Sequence, residues 1–141
     1  MIGFDVKKLF FDRKAVTSRL DRATRRVFTK FGSFVRQTAK RSIRSRKSPS
    51  PPGSPPSSHT GLLKRFIFFG YEPARRTVVI GPVQLRRAGG EAPHLLEHGG
   101  TTRIRRRGKR RAARYPARPF MGPAFEKEQA KLPEIWRQSV K

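Results

Sequence analysis

Apolar residues recur at every third or fourth position between residues 13 and 46, which is the period of an amphipathic α-helix. The stripe consists of Val16, Leu20, Ala23, Val27, Phe31, Phe34 and Thr38, widened by Phe28, Val35, Ala39 and Ile43. Asp12 stands directly before it and is a suitable N-cap. The pattern therefore predicts a long helix over residues 13–46. Its opposite face is cationic, as expected either for a solvated surface or for a stripe that faces phosphate or a partner.

The segments on either side of this helix are irregular. Residues 1–11 alternate loosely between apolar and polar, which predicts a short strand or an extended arm. Residues 48–60 are rich in Pro and Ser and favour extended polyproline geometry. They predict an exposed linker or loop in which proline and serine have little to bury.

Two apolar runs, at residues 62–71 and 77–83, flank a short polar turn and predict an antiparallel hairpin that packs on the long helix. Residues 91–98 predict a short helix, with Pro93 in its first turn and Gly99 in the position after its end. Residues 101–116 predict either a second, basic hairpin or a loop that stays mobile until a partner binds.

The C-terminal part of the chain predicts further helix. Pro123 begins a last helix with Glu126 and Glu128 near its positive end, and Pro133 breaks or restarts it. Its apolar side is formed by Phe125, Leu132, Ile135, Trp136 and Val140. The predicted fold class is α+β, with the long N-terminal helix and the C-terminal helix packed on a small antiparallel sheet and with extended basic and Pro-rich loops. The length predicts one domain over residues 1–141.

Charge changes the picture from a plain α+β domain to a protein that needs an anionic neighbour. The formal net charge is +25, from 34 Lys and Arg against 9 Asp and Glu. So strong an excess favours contact with nucleic acid or with acidic proteins, and charge alone does not decide between them. The candidate contact residues lie in one acid-free stretch and are Arg103, Arg105, Arg106, Arg107, Lys109, Arg110, Arg111 and Arg114.

Several function classes are excluded or disfavoured by composition. The chain has no cysteine, which excludes disulfides, thiolate catalysis and cysteine zinc sites. No apolar run approaches the roughly 18 residues of a transmembrane helix, and residues 1–5 lack the order of a signal peptide. We therefore predict a reducing, cytoplasm-like compartment, no membrane partner and no cofactor.

One five-residue pattern resembles a catalytic motif. His94, Glu97 and His98 match the H-x-x-E-H pattern of inverted zinc proteases, and both imidazoles would share a helix face. The pattern lacks an obvious third ligand, because the downstream acids Glu126, Glu128 and Glu134 all fall in the predicted C-terminal helix. Gly99 also ends the helix directly after the second histidine. We therefore predict no catalytic and no metal-binding residues, and expect Glu97 to pair with an arginine such as Arg118.

The order of the motifs resembles a known family. Thr60-Gly61-Leu62-Leu63-Lys64-Arg65 is similar to a T-G-x-L-R-x-S block, and Ile80-Gly81 to a following V-G. Glu97-His98-Gly99-Gly100 and the segment from Ala117 to Ala124 are similar to E-F-G-T and A-R-P-F-x-x-P-A. Together they resemble the neck or tail-completion proteins of long-tailed bacteriophages, including the group related to minor tail protein Z. His98 and Gly100 depart from the pattern, and the cationic insertion is longer.

The resemblance implies a structural virion protein without enzymatic activity. It would be made in the host bacterial cytoplasm and would form a homo-oligomeric ring, a hexamer or dodecamer, at the head–tail junction or the top of the tail. Its partners would be other head–tail connector and tail proteins, with packaged DNA as a further candidate through its backbone phosphates. The resemblance also implies a structural and interface motif, formed by Glu97, His98, Gly99, Arg118, Pro119, Phe120 and Pro123.

A second interpretation of the sequence is a nucleic-acid-binding protein of ribosomal or chromatin type that does not read sequence. It predicts tight and steeply salt-dependent binding by the isolated chain. The Phe- and Val-rich stripe of the long helix favours packing into an assembly instead. Neighbouring portal, capsid and tail-tube genes would distinguish the phage interpretation from this one.

Overall fold

A computed structural model of the protein describes residues 12–83, 92–106 and 108–139. The arm or strand predicted for residues 1–11 lies outside the described residues. The first element is helix α1, Arg13–Ser42, and the backbone N–H of Ala15 donates to the Asp12 carboxylate at 3.0 Å. The predicted N-cap and the predicted long helix are therefore confirmed.

The predicted C-terminal end of this helix was wrong by four residues. Ile43 is extended and fully buried, so the chain leaves the helix there to place this side chain in the core. Arg44–Ser45 then form strand β1, which pairs in parallel with Ser57–Ser58, strand β2. Periodicity continues through Ile43 in the sequence, and only tertiary packing ends the helix.

The Pro/Ser-rich segment between these strands is the loop alternative of the prediction, and it is docked on the protein at several positions instead of being exposed throughout. Pro56 and Ser58 are buried, although residues 51–53 are exposed. The backbone N–H of Gly53 donates to the carbonyl of Ala117 at 2.8 Å. A turn interrupts the segment, with the backbone N–H of Ser54 donating to the carbonyl of Pro51 at 3.3 Å, and pairing of β1 with β2 fastens both ends of the loop.

The predicted apolar hairpin is present in shorter form. Strands β3, Ile67–Glu72, and β4, Thr77–Pro82, are antiparallel. Residues 62–65 were predicted as strand and instead form a helical turn, α2, Leu62–Arg65, which follows a left-handed Gly61. The hairpin crosses α1 at Gly32, where an added Cβ would lie 2.8 Å from the Phe69 ring.

The C-terminal half alternates helix and hairpin. Helix α3, Ala92–His98, is followed by strands β5, Gly100–Arg106, and β6, Lys109–Tyr115, which pair along their whole length. The hairpin alternative for this basic segment is therefore confirmed. Helices α4, Met121–Gln129, and α5, Leu132–Ser139, complete the fold, with the predicted break before Pro133.

The core lies where α1 meets α4, α5 and the β3–β4 hairpin, and the α+β class is confirmed. There are three two-stranded sheets in the described residues, one of them parallel, in place of the single sheet predicted. The central buried cluster consists of Phe31, Val35, Ala39, Ile43, Ile67, Phe120 and Ala124. The first turns of α1 extend beyond this core, leaving Val16 and Leu20 about half exposed, at 47% and 52%. Among the described helices, none has both the length and the apolar character needed to cross a bilayer.

The sequence predicted Glu128 near the positive, N-terminal end of the last helix. Glu128 instead lies at the C-terminal end of α4, which ends one residue later. Its carboxylate is buried and accepts hydrogen bonds from the Thr38 hydroxyl at 2.7 Å and from Lys131 Nζ at 2.8 Å. The Lys131 hydrogen bond, with that of Thr38, lowers the pKa of Glu128 in spite of its burial. This carboxylate therefore ties α4 to α1.

Because folding lowers this pKa, the contribution of Glu128 to stability is present above its ordinary pKa of 4.5 and is lost as the pH falls toward the folded value. We expect Glu128→Gln to be destabilised at pH 7 and to lose much less stability than the unmodified chain below pH 4.5. Urea denaturation across this pH range measures the effect. Parallel stability curves for the two proteins would contradict this role of the carboxylate.

Candidate functional site

The carboxylate of Glu97 caps the N-terminus of α4 from a different helix. Its two oxygens accept backbone N–H groups of Phe120 at 2.9 Å, Met121 at 3.0 Å and Gly122 at 2.7 Å. These donors have no partner within a helix, and the helix dipole favours an anion beside them. Glu97 thus joins the end of α3 to the start of α4.

The predicted pairing of Glu97 with Arg118 was wrong. Arg118 turns away from the carboxylate, and its Nε donates to the carbonyl of Ser50 at 2.8 Å. Its backbone N–H donates to the carbonyl of Leu96 at 2.6 Å. Since backbone N–H groups already satisfy Glu97, the guanidinium is free to hold the Pro-rich segment. Arg118 therefore links that segment to α3.

Gly99 lies in the position after α3, as predicted. Its φ is +72°, and its N–H donates to the carbonyl of Leu95 at 2.9 Å. An added Cβ would lie 2.9 Å from the Ala117 nitrogen and 3.1 Å from the Tyr115 carbonyl oxygen. Glycine is required here because the two ends of the β5–β6 hairpin meet at this point.

The other predicted motif residues occupy different places around this contact. Phe120 is 1% exposed and belongs to the core, while Pro119 is half-buried beside it. Pro123 lies in the first turn of α4 and is exposed, two residues after the helix begins. His98 is exposed at the C-terminal end of α3. We use the name joint for Glu97, Gly99, Arg118 and Phe120, which the structure brings together.

The H-x-x-E-H pattern has no metal-site geometry. The rings of His94 and His98 are neighbours, with centroids 4.7 Å apart, and both residues are exposed. Glu97 already accepts three backbone N–H groups. Within residues 12–83, 92–106 and 108–139, no group of three or more His, Asp or Glu side chains is arranged to hold a metal ion.

The β5–β6 hairpin carries the predicted contact residues and separates them onto two faces. Directly paired residues share a face, and alternate residues along each strand do the same. One face is exposed throughout and consists of Thr101, Arg103, Arg105, Arg110, Ala112 and Arg114. By register, Arg106, Lys109 and Arg111 are positions of the other face. Lys109 and Arg111 are exposed there, and Thr102, Ile104, Ala113 and Tyr115 are half-buried. Arg107 lies outside the described residues.

We call the exposed side the arginine face, after Arg103, Arg105, Arg110 and Arg114. In the described part of the chain, none of these four guanidinium groups makes an ion pair or a hydrogen bond to another residue. Three of the described acids form ion pairs elsewhere: Asp21 with Arg76, Glu72 with Arg75 and Glu128 with Lys131. These four guanidinium groups therefore have no counter-charge from the described part of the chain.

Sequence reasoning missed the backbone partners that complete the joint. Ser50 and Leu96 contribute carbonyl oxygens, and Ala117 holds the loop through Gly53. No side-chain pattern marks a carbonyl acceptor. The Glu128 contact with Thr38 and Lys131 was missed as well, although a glutamate three residues before a lysine was a usable signal for the Lys131 part of it.

Comparison of the chain with protein-family models, with curated proteins and with solved structures finds no match.

The requirement for glycine at the joint is testable by a matched pair of substitutions. We expect Gly99→Ala to lower the free energy of unfolding by about 1–3 kcal/mol more than Gly53→Ala does. Both glycines have φ above +70°, but the added Cβ has nothing within 4 Å at Gly53 and meets backbone at Gly99. Chemical denaturation measures both. Equal losses would show that the close approach at Gly99 is unimportant.

Proposed function

We propose that the protein is a structural subunit of a tailed bacteriophage particle. Many copies would close into a ring at the head–tail junction or the top of the tail, where they complete the tail or join it to the head. The observation that carries this proposal is the joint. The two motifs that resemble the tail-completion family, around Glu97 and around Arg118, form one contact, and the whole basic hairpin lies between them.

The distribution of packing supports an assembly part. The core is confined to the middle of α1 and the elements around it, whereas the first turns of α1 and the β5–β6 hairpin extend from it. Among the described residues, the hairpin has no extensive packing with another element. A two-stranded ribbon is only marginally stable alone in water. Both projections therefore suit a subunit that is completed by its neighbours.

The charge supports the location. A free subunit with a net charge of +25 repels its own copies, so a ring of them requires an anion to be stable. Packaged DNA in the neck, or acidic neighbouring proteins, would supply this anion. The arginine face, which has no acid of its own chain beside it, is the surface for that contact.

The test is to isolate virions from the source of the gene and to ask whether the chain is a component. Quantitative mass spectrometry of purified particles is expected to find the chain in a fixed ratio to the portal protein, as a ring of six or twelve copies requires. Its gene is expected beside portal, capsid and tail-tube genes. Absence from purified particles would refute the proposal.

The arginine face also favours a second candidate, a nucleic-acid-binding protein of ribosomal or chromatin type. This candidate predicts that the chain co-purifies with ribosomes or with the bulk chromosome. It also predicts a gene outside any cluster of virion genes. Either result, together with absence from particles, would favour it over the phage subunit.

A further inference from the structure

We propose that the arginine face binds the phosphate backbone of duplex DNA without reading its sequence. The inference deepens the proposed function by choosing between DNA and acidic proteins as the partner of the hairpin. It rests on that function only for the source of the DNA, since the binding itself follows from the hairpin.

The register of the hairpin creates a dense cationic surface. Arg105 is directly opposite Arg110, and Arg103 and Arg114 are opposite Ala112 and Thr101. Directly paired side chains in an antiparallel ribbon have Cβ atoms about 5 Å apart, and like charges so placed destabilise the pairing. Bound phosphate would remove this repulsion, so the ribbon is built for a state in which an anion is present.

The two faces of the hairpin differ in burial, although Lys109 and Arg111 on the opposite face are exposed as well. Thr102, Ile104, Ala113 and Tyr115 are half-buried there, whereas every residue of the arginine face is exposed. The base of the hairpin is fixed at Gly99 and Ala117 by the close backbone approach. The joint therefore presents the arginine face in a defined direction.

The residue types on this face suit phosphate. All four cations are arginine, whose planar guanidinium can donate two parallel hydrogen bonds to one phosphate group. Successive residues on one face of a strand are about 7 Å apart, as in Arg103 and Arg105. Consecutive phosphates along a DNA strand have a similar separation. Acidic side chains on a protein partner would need a matching row, whereas the DNA backbone provides one at any position.

The same face disfavours single-stranded nucleic acid. Proteins that bind single strands supply aromatic rings on which the bases stack. The residues between the arginines are Thr101 and Ala112, and the aromatic Tyr115 belongs to the opposite face. Contact with the phosphates of duplex DNA needs no such rings, because the bases stay stacked inside the double helix. Duplex backbone is therefore the favoured target.

The experiment uses the full chain and a fluorescein-labelled, mixed-sequence DNA duplex, with fluorescence anisotropy measured from about 50 to about 200 mM NaCl. The test variant carries Gln in place of Arg103, Arg105, Arg110 and Arg114. The matched control carries Gln in place of Arg19, Arg22, Arg25 and Arg26, four exposed arginines of α1. Both variants lose the same charge. Circular dichroism and thermal melting establish that both are folded.

The slope of log K against log salt is negative, and we expect the hairpin variant to reduce its magnitude by about 3–4, because each phosphate contact contributes about 0.9. Its affinity at the lowest salt is expected to fall about 100-fold. The α1 variant is expected to change the slope by less than about 1. A second duplex of unrelated sequence is expected to bind equally well.

Three results would overturn the proposal. Equal losses in the two variants would mean that total charge, and not the hairpin, determines binding. A preference of about tenfold or more between duplexes would indicate base contacts. Binding of fluorescein-labelled polyglutamate, measured by the same anisotropy assay, tests an acidic protein as the partner. If the hairpin variant lost polyglutamate binding and retained DNA binding, the partner would be an acidic protein. DNA binding by a chain that is absent from virions would leave this inference standing and refute the proposed function. A chain that is present in virions but does not bind DNA would overturn this inference and leave the proposed function standing.

Discussion

Replacing Phe120 with alanine is expected to lower the free energy of unfolding by about 3–5 kcal/mol, the largest effect among the substitutions considered for stability. The ring is 1% exposed and lies in the central cluster with Phe31, Ile67 and Ala124. Alanine would leave a cavity within the joint, at the residue whose backbone N–H donates to Glu97. Collapse around such a cavity would require α4 to move.

The matched control for this substitution is Phe125→Ala in the same helix. Phe125 is 43% exposed, and its ring lies edge-on to that of Phe31 with the two ring centroids 5.6 Å apart. We expect a loss of only about 1 kcal/mol there. Urea denaturation of both variants measures the difference. If the two losses were equal, Phe120 would not have the central position in the core that the structure gives it.

The second large effect is expected at Glu97. Glu97→Ala removes an anion that accepts three backbone N–H groups at the start of α4, and we expect a loss of about 2–4 kcal/mol. The cost exceeds that of an ordinary N-cap because three donors lose their acceptor and the helix dipole loses its counter-charge. Glu97→Gln retains an acceptor oxygen and is expected to lose less.

Glu134→Ala is the control for the loss of one negative charge. Glu134 is exposed and accepts a hydrogen bond from Gln138 at 3.3 Å, so we expect a loss of less than about 0.5 kcal/mol. Hydrogen exchange adds a local measurement. Glu97→Ala should increase exchange at the N–H groups of Phe120 to Gly122, and unchanged exchange there would contradict the capping role.

Local signals in the sequence were sufficient for the elements but not for their ends. Asp12 and the regular stripe from Val16 predicted α1, because capping and periodicity depend on neighbours in the chain. Its end at Ser42 could not be predicted in this way, since Ile43 continues the period. The burial of Ile43 in a core built by β3 and α4 is a long-range effect.

The Pro-rich segment was misjudged for a related reason. Its composition indicates a segment with little propensity for helix or sheet. The carbonyl of Ser50 nevertheless accepts a hydrogen bond from Nε of Arg118, which is 68 residues away in the chain. Composition describes what a segment can bury by itself, and it does not describe what another segment can donate to its backbone.

At the candidate site, the sequence identified Glu97 and Arg118 as important but assigned them to each other. Opposite charge is the obvious local argument. In the structure, unpaired N–H groups of a helix start compete for the carboxylate and satisfy both of its oxygens. The arginine face illustrates the opposite case: alternation along residues 101–116 contained the two faces, but they could be separated only once the register of the hairpin was known.

We propose that this protein forms a ring in the neck or tail of a phage particle, with the arginine face toward DNA. A symmetry-focused cryo-EM map of particles from the source of the gene tests it most directly. We expect a six- or twelve-fold ring into which the chain can be traced, with Arg103, Arg105, Arg110 and Arg114 beside the DNA density. A particle whose neck and tail are fully assigned to other chains would contradict it.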